Sequence, residues 1–158
     1  MPPQDNSTDP SLGAELLSVI ARLNRWATRN ADLALPVAQA RLLAQIDALQ
    51  SARIGDLAQA DHCSQPTMTT QVRRLEAAGL VYRRTDPHDA RAVRISLTAR
   101  GRGLLDDVRA ARAAVITPLI EKLPEDERLQ IRAALDTLTN LLHAAGPVPH
   151  GTDEQEEK

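Results

Sequence analysis

Residues 64–101 read SQPTMTTQVRRLEAAGLVYRRTDPHDARAVRISLTARG, and this stretch decides the fold. Its first part predicts a helix. Ser64 is a good N-cap, and Pro66 falls in the first turn, where a missing N–H costs nothing. Met68, Val72 and Leu75 recur at i, i+4 and i+7, which makes one buried stripe. At about 100° per residue, Pro66, Thr70 and Arg73 point the other way, flanked by Thr69 and Arg74. Gly79 stops the helix as a glycine just past the C-cap does. The second part predicts a hairpin. Leu80 and Tyr82 alternate with Val81 and Arg83, and Val93, Ile95 and Leu97 alternate with Arg94 and Ser96, a period of two. The run TDPHDA between them is turn-forming. A helix that displays hydroxyls and guanidiniums is thus followed at once by a hairpin with an arginine near its tip.

Working outward, Ser11 caps a helix to about Asn30 whose apolar side carries Leu12, Leu16, Val19, Ile20, Leu23 and Trp26. The Leu35–Pro36 step opens a second helix that buries Leu42, Leu43, Ile46 and Leu49. IGDLAQADH predicts a short third helix with Ile54 and Leu57 facing in, and its tight connection to Ser64 gives a helix–turn–helix. Downstream, Thr98 caps a long helix with a near-heptad series from Leu104 and Leu105 through Val108, Ala111, Val115 and Leu119 to Leu123. Pro118 inside that series predicts a bend. LPEDERLQI restarts a helix, with Pro124 and three acids at its positive end, and Ile131, Leu135, Leu138 and Leu142 form a narrow seam of coiled-coil type. Residues 1–10 and 146–158 read as polar, disordered tails, the second one acidic. The predicted class is mainly α with a small β-hairpin.

The composition fits this reading. At 158 residues, 42% of them apolar, one domain with a real core is the natural expectation. One Trp, one Tyr and no Phe leave that core to aliphatics, which suits helix packed on helix. The net charge of −2 hides an asymmetry. Residues 64–102 carry eight arginines against three acids, and residues 121–158 carry nine acids against four bases. A basic middle is the footprint of a polyanionic partner. The single cysteine, Cys63, excludes an intramolecular disulfide and fits a reducing, cytoplasmic setting. No apolar run reaches membrane-span length, so no membrane partner is predicted, and MPPQDNSTDP lacks the features of a signal peptide.

The runs RLEAAGLVYRR, DPHDAR and ISLTARG, in this order and spacing, resemble the MarR family of winged-helix transcription regulators, a likeness that covers roughly residues 12–145. The resemblance implies a homodimer. Residues 11–31 and 98–145 would supply the dimerisation helices, and residues 36–97 a winged helix-turn-helix lobe that binds double-stranded DNA. It implies a ligand-responsive repressor on a pseudo-palindromic operator. Its effector would be a small, often aromatic or phenolic anion, held between the dimerisation helices and the lobe. With two aromatics in the chain, aliphatics, Arg and either Trp26 or Tyr82 would line such a pocket. The family's acid-x-arginine element of the wing falls on Asp89 and Arg91. Many relatives carry a further arginine where this chain has Ala90, which lowers the wing's charge and leaves the pair intact.

The chemistry of such a site is positional, not catalytic. Arg73, Arg74, Arg83, Arg84 and Arg94 are candidates to neutralise phosphates and release counterions. Ser64 caps the reading helix. Gln65, Thr67, Thr69, Thr70 and Arg73 are candidates to read base edges in the major groove, and Pro66 to touch a thymine methyl. Arg91 would enter a narrow minor groove, oriented by Asp89 through a charge-assisted hydrogen bond. Against this stand plainer readings. Exposed arginines often make only a solvated face, Asp86 and Asp89 serve as turn residues, and Trp26 serves in packing. His62 and Cys63 are adjacent, but His88, His143 and His150 stand alone and no second Cys exists, so neither a metal nor another cofactor is predicted. A redox switch through Cys63, or a winged helix used for protein–protein contact only, are the alternatives. No nucleophile–base constellation or glycine-rich phosphate loop points to an enzyme.

Overall fold

The structure, a computed structural model, describes residues 10–86, 89 and 92–146. Both predicted tails fall almost wholly outside the described residues, as do Ala90 and Arg91 of the wing. The elements run α1 (Pro10–Asn30), α2 (Val37–Ala48), α3 (Ile54–Ala60), α4 (Gln65–Ala77), β1 (Val81–Thr85), β2 (Val93–Leu97), α5 (Ala99–Glu121) and α6 (Glu125–Ala145). The structure is mainly α with one antiparallel hairpin, a winged helix-turn-helix lobe joined to long helices.

The core is aliphatic. Leu42, Leu43 and Ile46 of α2 meet Leu57 of α3, Met68, Val72 and Leu75 of α4, Ile95 and Leu97 of β2, and Leu105 and Val108 of α5. Each such side chain contributes about 1.5–3 kcal/mol on burial, so the three from α4 alone hold that helix firmly on the lobe.

Local chemistry sets both ends of α4. The Ser64 hydroxyl accepts the Thr67 N–H at 3.3 Å, with Pro66 in the first turn. At the other end Gly79 adopts φ +71°, its N–H donates to Glu76 O, and the Leu80 N–H donates to Leu75 O. This paired closure satisfies two carbonyls that the helix itself leaves open. The chain is then caught again. Thr98 Oγ1 accepts the Gly101 N–H at 3.0 Å, capping α5, and donates back to Gly79 O at 2.7 Å. A Cβ at Gly101 would lie 2.0 Å from Leu80 O, so only glycine lets α5 start against the end of α4.

In the hairpin, Val81 pairs with Leu97, Arg83 with Ile95 and Thr85 with Val93. The phase of β1 departs from the alternation read in the sequence. Val81 is buried with Leu97, whereas Tyr82, opposite Ser96, is 42% exposed. Leu80 is buried because it closes the helix, ahead of the strand, so it does not share a face with Tyr82. Ala52 forms an isolated antiparallel bridge to the hairpin, exchanging both backbone hydrogen bonds with Ile95.

The outer helices differ. α5 continues through Pro118 to Glu121 as one element. On α6 no residue is buried, and Leu135 is 57% and Leu142 73% exposed. On α1, Leu12, Leu17, Val19, Ile20 and Leu23 are exposed, and Ala27 alone of residues 11–30 is buried. Among the described residues no helix is long and apolar enough to cross a membrane.

Candidate nucleic-acid interface

The face of α4 opposite its buried stripe is polar and open. Gln65, Pro66, Thr67, Thr70, Arg73 and Arg74 are exposed, and Thr69 is half-buried. The Ser64 and Thr67 hydroxyls lie 2.8 Å apart, so both are partly engaged in the cap. Thr70 Oγ1 donates to Pro66 O at 3.0 Å, which orients the hydroxyl and leaves its lone pairs outward. The Arg73 and Arg74 guanidiniums have no protein partner among the described residues. α4 therefore presents donors and acceptors with little competition from the protein itself.

The hairpin arginines divide into two kinds. Arg84 is exposed, and among the described residues its one side-chain hydrogen bond is a long one of 3.5 Å to Ser51 Oγ. Arg83 donates Nε to Glu76 at 3.0 Å, and Arg94 donates Nε to Asp86 at 2.6 Å and Nη1 to Ser51 O at 3.2 Å. Of the five arginines nominated for phosphates, Arg73, Arg74 and Arg84 face solvent while Arg83 and Arg94 are held by acids. The sequence reading missed Arg53. Its Nη2 donates to Asp86 at 3.1 Å, and this bond, ahead of the nearby charges of Asp86, Asp89 and Asp56, raises its pKa. No local signal links Arg53 to a residue 33 positions on. Asp89 is exposed, and its backbone N–H and carbonyl bond Asp86 and Ala92 within the loop. Its proposed pairing with Arg91 lies outside the described residues.

A second concavity, of about 600 Å³, opens between α1, α2 and α5. Leu33, Val37, Ala40, Leu105 and Val108 form its aliphatic side, and Arg25, Arg29, Arg41, Arg109 and Arg112 its basic side. Arg109 bonds Asp47 at 2.7 Å and Asp106 at 3.1 Å, which raises its pKa, and Arg41 lies 2.9 Å from Asp61. Arg112 Nε is buried without a hydrogen-bond partner. Trp26 lines an adjoining groove with Arg22, Arg25 and Arg29, while Tyr82 lines neither and sits beside Arg84 and Arg102. Cys63 is half-buried against the core, and no group of three metal-ligating side chains occurs among the described residues.

The family model that matches this chain is that of the MarR family, over residues 35–93, the span from the start of α2 into β2. Over that span the chain is similar to the MarR family. An HTH-type transcriptional regulator of Mycobacterium bovis is 27% identical over 136 residues, 85% of this chain and 95% of that protein. Staphylococcus aureus MepR, solved as a point mutant bound to an oligodeoxyribonucleotide, is 25% identical with a TM-score of 0.57, covering 86% of this chain and 99% of that one. MepR has also been solved with ethidium bromide bound, again at 25% identity and a TM-score of 0.57, covering 87% of this chain and 99% of that one. MarR of Escherichia coli shares the fold, with a TM-score of 0.60 at 22% identity over 78% of this chain and 96% of that one. These similarities support a DNA-binding transcription regulator, a class of proteins that are not enzymes.

Proposed function

We propose that the protein is a ligand-responsive repressor that binds a pseudo-palindromic operator as a homodimer in the cytoplasm. The observation that carries this reading is the exposed face of α4, with its outward hydroxyls and the unpaired guanidiniums of Arg73 and Arg74, beside an arginine-bearing hairpin. Gln65, Thr67, Thr69, Thr70 and Arg73 read bases, with Pro66 against a thymine methyl and Ser64 setting the start of the helix. Arg74 and Arg84 neutralise phosphates. Arg91, oriented by Asp89, reaches the flanking minor groove. Residues 36–97 form the reading lobe, and residues 11–31 and 98–145 the dimerisation helices, whose exposed leucines a second copy covers by two-fold symmetry. Selecting duplexes from a random pool with the protein, then footprinting the winners, tests the reading. Two protected half-sites about one helical turn apart support it, and a single unsymmetrical site would overturn the dimeric part.

The cleft between α1, α2 and α5 is the effector site of this reading. An aliphatic floor with Arg25, Arg29 and the unpartnered Nε of Arg112 suits an aromatic anion. MepR's ethidium is a cation, and five arginines here would repel one. A hydroxybenzoate should therefore release the protein from its duplex where ethidium does not, and Arg112→Ala should abolish that release.

A further inference from the structure

Asp86 stands where the hairpin opens into its loop. Its N–H donates to Ala92 O, one rung beyond the Thr85–Val93 pair, and its side chain is fully buried. A buried carboxylate persists only where cations and donors compensate its lost hydration. Here one oxygen, Oδ2, accepts Arg94 Nε from β2 at 2.6 Å and Arg53 Nη2 from the α2–α3 connection at 3.1 Å. Arg94 Nη1 also reaches Ser51 O, and Ala52 pairs with Ile95 through both backbone hydrogen bonds. Three consecutive residues, Ser51, Ala52 and Arg53, are thereby strapped to the hairpin. The third of them stands at the N-cap of α3, the first helix of the helix–turn–helix.

We infer that Asp86 is the positioning residue of the wing: by gathering Arg53 and Arg94 it fixes the angle between hairpin and helix–turn–helix, and Arg94 serves this joint instead of a phosphate. The inference rests on the reading of the hairpin as a DNA-contacting wing. A guanidinium and a reading helix occupy neighbouring grooves only if the angle between their supports is held. The joint also predicts an asymmetry between its two arginines. Arg53 is joined to Asp86 by one Nη, a task that a lysine ammonium can perform. Arg94 uses two nitrogens toward two acceptors, a fork that lysine lacks.

The test uses a duplex selected by the wild-type protein from a random pool and a scrambled duplex of equal length, with hydroxyl-radical footprints of each complex. Asp86→Ala should bind the selected duplex about tenfold more weakly, the cost of one groove contact. Its binding to the scrambled duplex should not fall. Protection should vanish in the flanking minor grooves and persist under α4, a pattern that general loss of folded protein would not produce. Arg94→Ala should weaken specific binding without changing the salt slope. Arg53→Lys should restore what Arg53→Ala loses, and Arg94→Lys should not. If Asp86→Ala fails to fold, this lysine comparison decides the matter at the two partly exposed partners. Wild-type or tighter binding by Asp86→Ala would overturn the inference, as would a salt slope lowered by about one in Arg94→Ala, the mark of a phosphate contact. Loss of flanking protection in Arg91→Ala but not in Asp86→Ala refutes this joint alone. No loss in either variant refutes the wing reading itself.

Discussion

The lobe of α2–α4 and the hairpin finishes its packing within one chain, and the outer helices do not. Leu43, Ile46, Leu57, Met68, Val72 and Ile95 are wholly inaccessible, while α6 has no buried residue and α1 exposes Leu12, Leu17 and Leu23. Both regions are similarly rich in aliphatics, so composition does not separate them. Periodicity and surroundings do. In the lobe, stripes from several elements converge on one point, whereas α6 carries a single stripe that, among the described residues, its own chain leaves largely uncovered. Contiguous exposed apolar surface of this kind marks a surface meant for a partner. One region should therefore behave as a unimolecular fold, and the other should owe its order to association.

The largest effect expected from this contrast comes from α6. Leu135→Asp with Leu138→Asp should convert a dimer into monomers or aggregate and remove specific DNA binding altogether. Light scattering near 17 kDa for the unmodified chain at micromolar concentration would instead remove the contrast. Next in size is the lobe core. Leu43→Ala should cost about 2–5 kcal/mol of stability from the cavity it leaves. That loss should be the same at all protein concentrations, while truncation of α6 leucines should cost more at low concentration. Denaturation at two concentrations about a hundredfold apart distinguishes the two behaviours.

Smaller effects sharpen the contrast inside the lobe. Arg73→Ala should cost about 1–3 kcal/mol on the selected duplex and relax preference at one base pair per half-site. An equal loss on random DNA would reassign Arg73 to a phosphate. Asp89→Ala should weaken operator binding although it removes a negative charge, and tighter binding at low salt would reduce Asp89 to a turn residue. Smallest of all, Ser64→Ala should cost about 1 kcal/mol of stability through the lost cap, measurable by thermal denaturation and visible equally in free and DNA-bound protein.

What was legible in the sequence was local. The cap at Ser64, the stop at Gly79, the cap at Thr98 and the stripe of Met68, Val72 and Leu75 all depend on residues within a turn or two of each other, and all stand as read. What depended on distant partners was not legible. Arg83 and Arg94 look like free cations in the sequence, yet Glu76 and Asp86, seven and eight positions before them, claim them once helix and strands are placed. Arg53 gave no sign of its reach to Asp86. Tyr82 was misphased because Leu80, apolar like a strand residue, belongs to the helix closure and shifts the count by one. The series on α1 and α6 were readable as stripes, but a stripe does not say whether its cover lies in the same chain.

The hydroxyl of Thr98 has a mechanical consequence. It ties the last residues of the α4 closure to the first turn of α5, and the bare Cα of Gly101 rests on Leu80 O at the same point. The two helices therefore share a hinge pin with almost no slack. α5 extends from that pin for 23 residues, about 35 Å of stiff rod at about 1.5 Å per residue. A sideways shift of about 3 Å at the far tip of such a rod turns it by about 5°. A joint this tight should pass such a turn on to α4, as a handle passes its travel to the jaw.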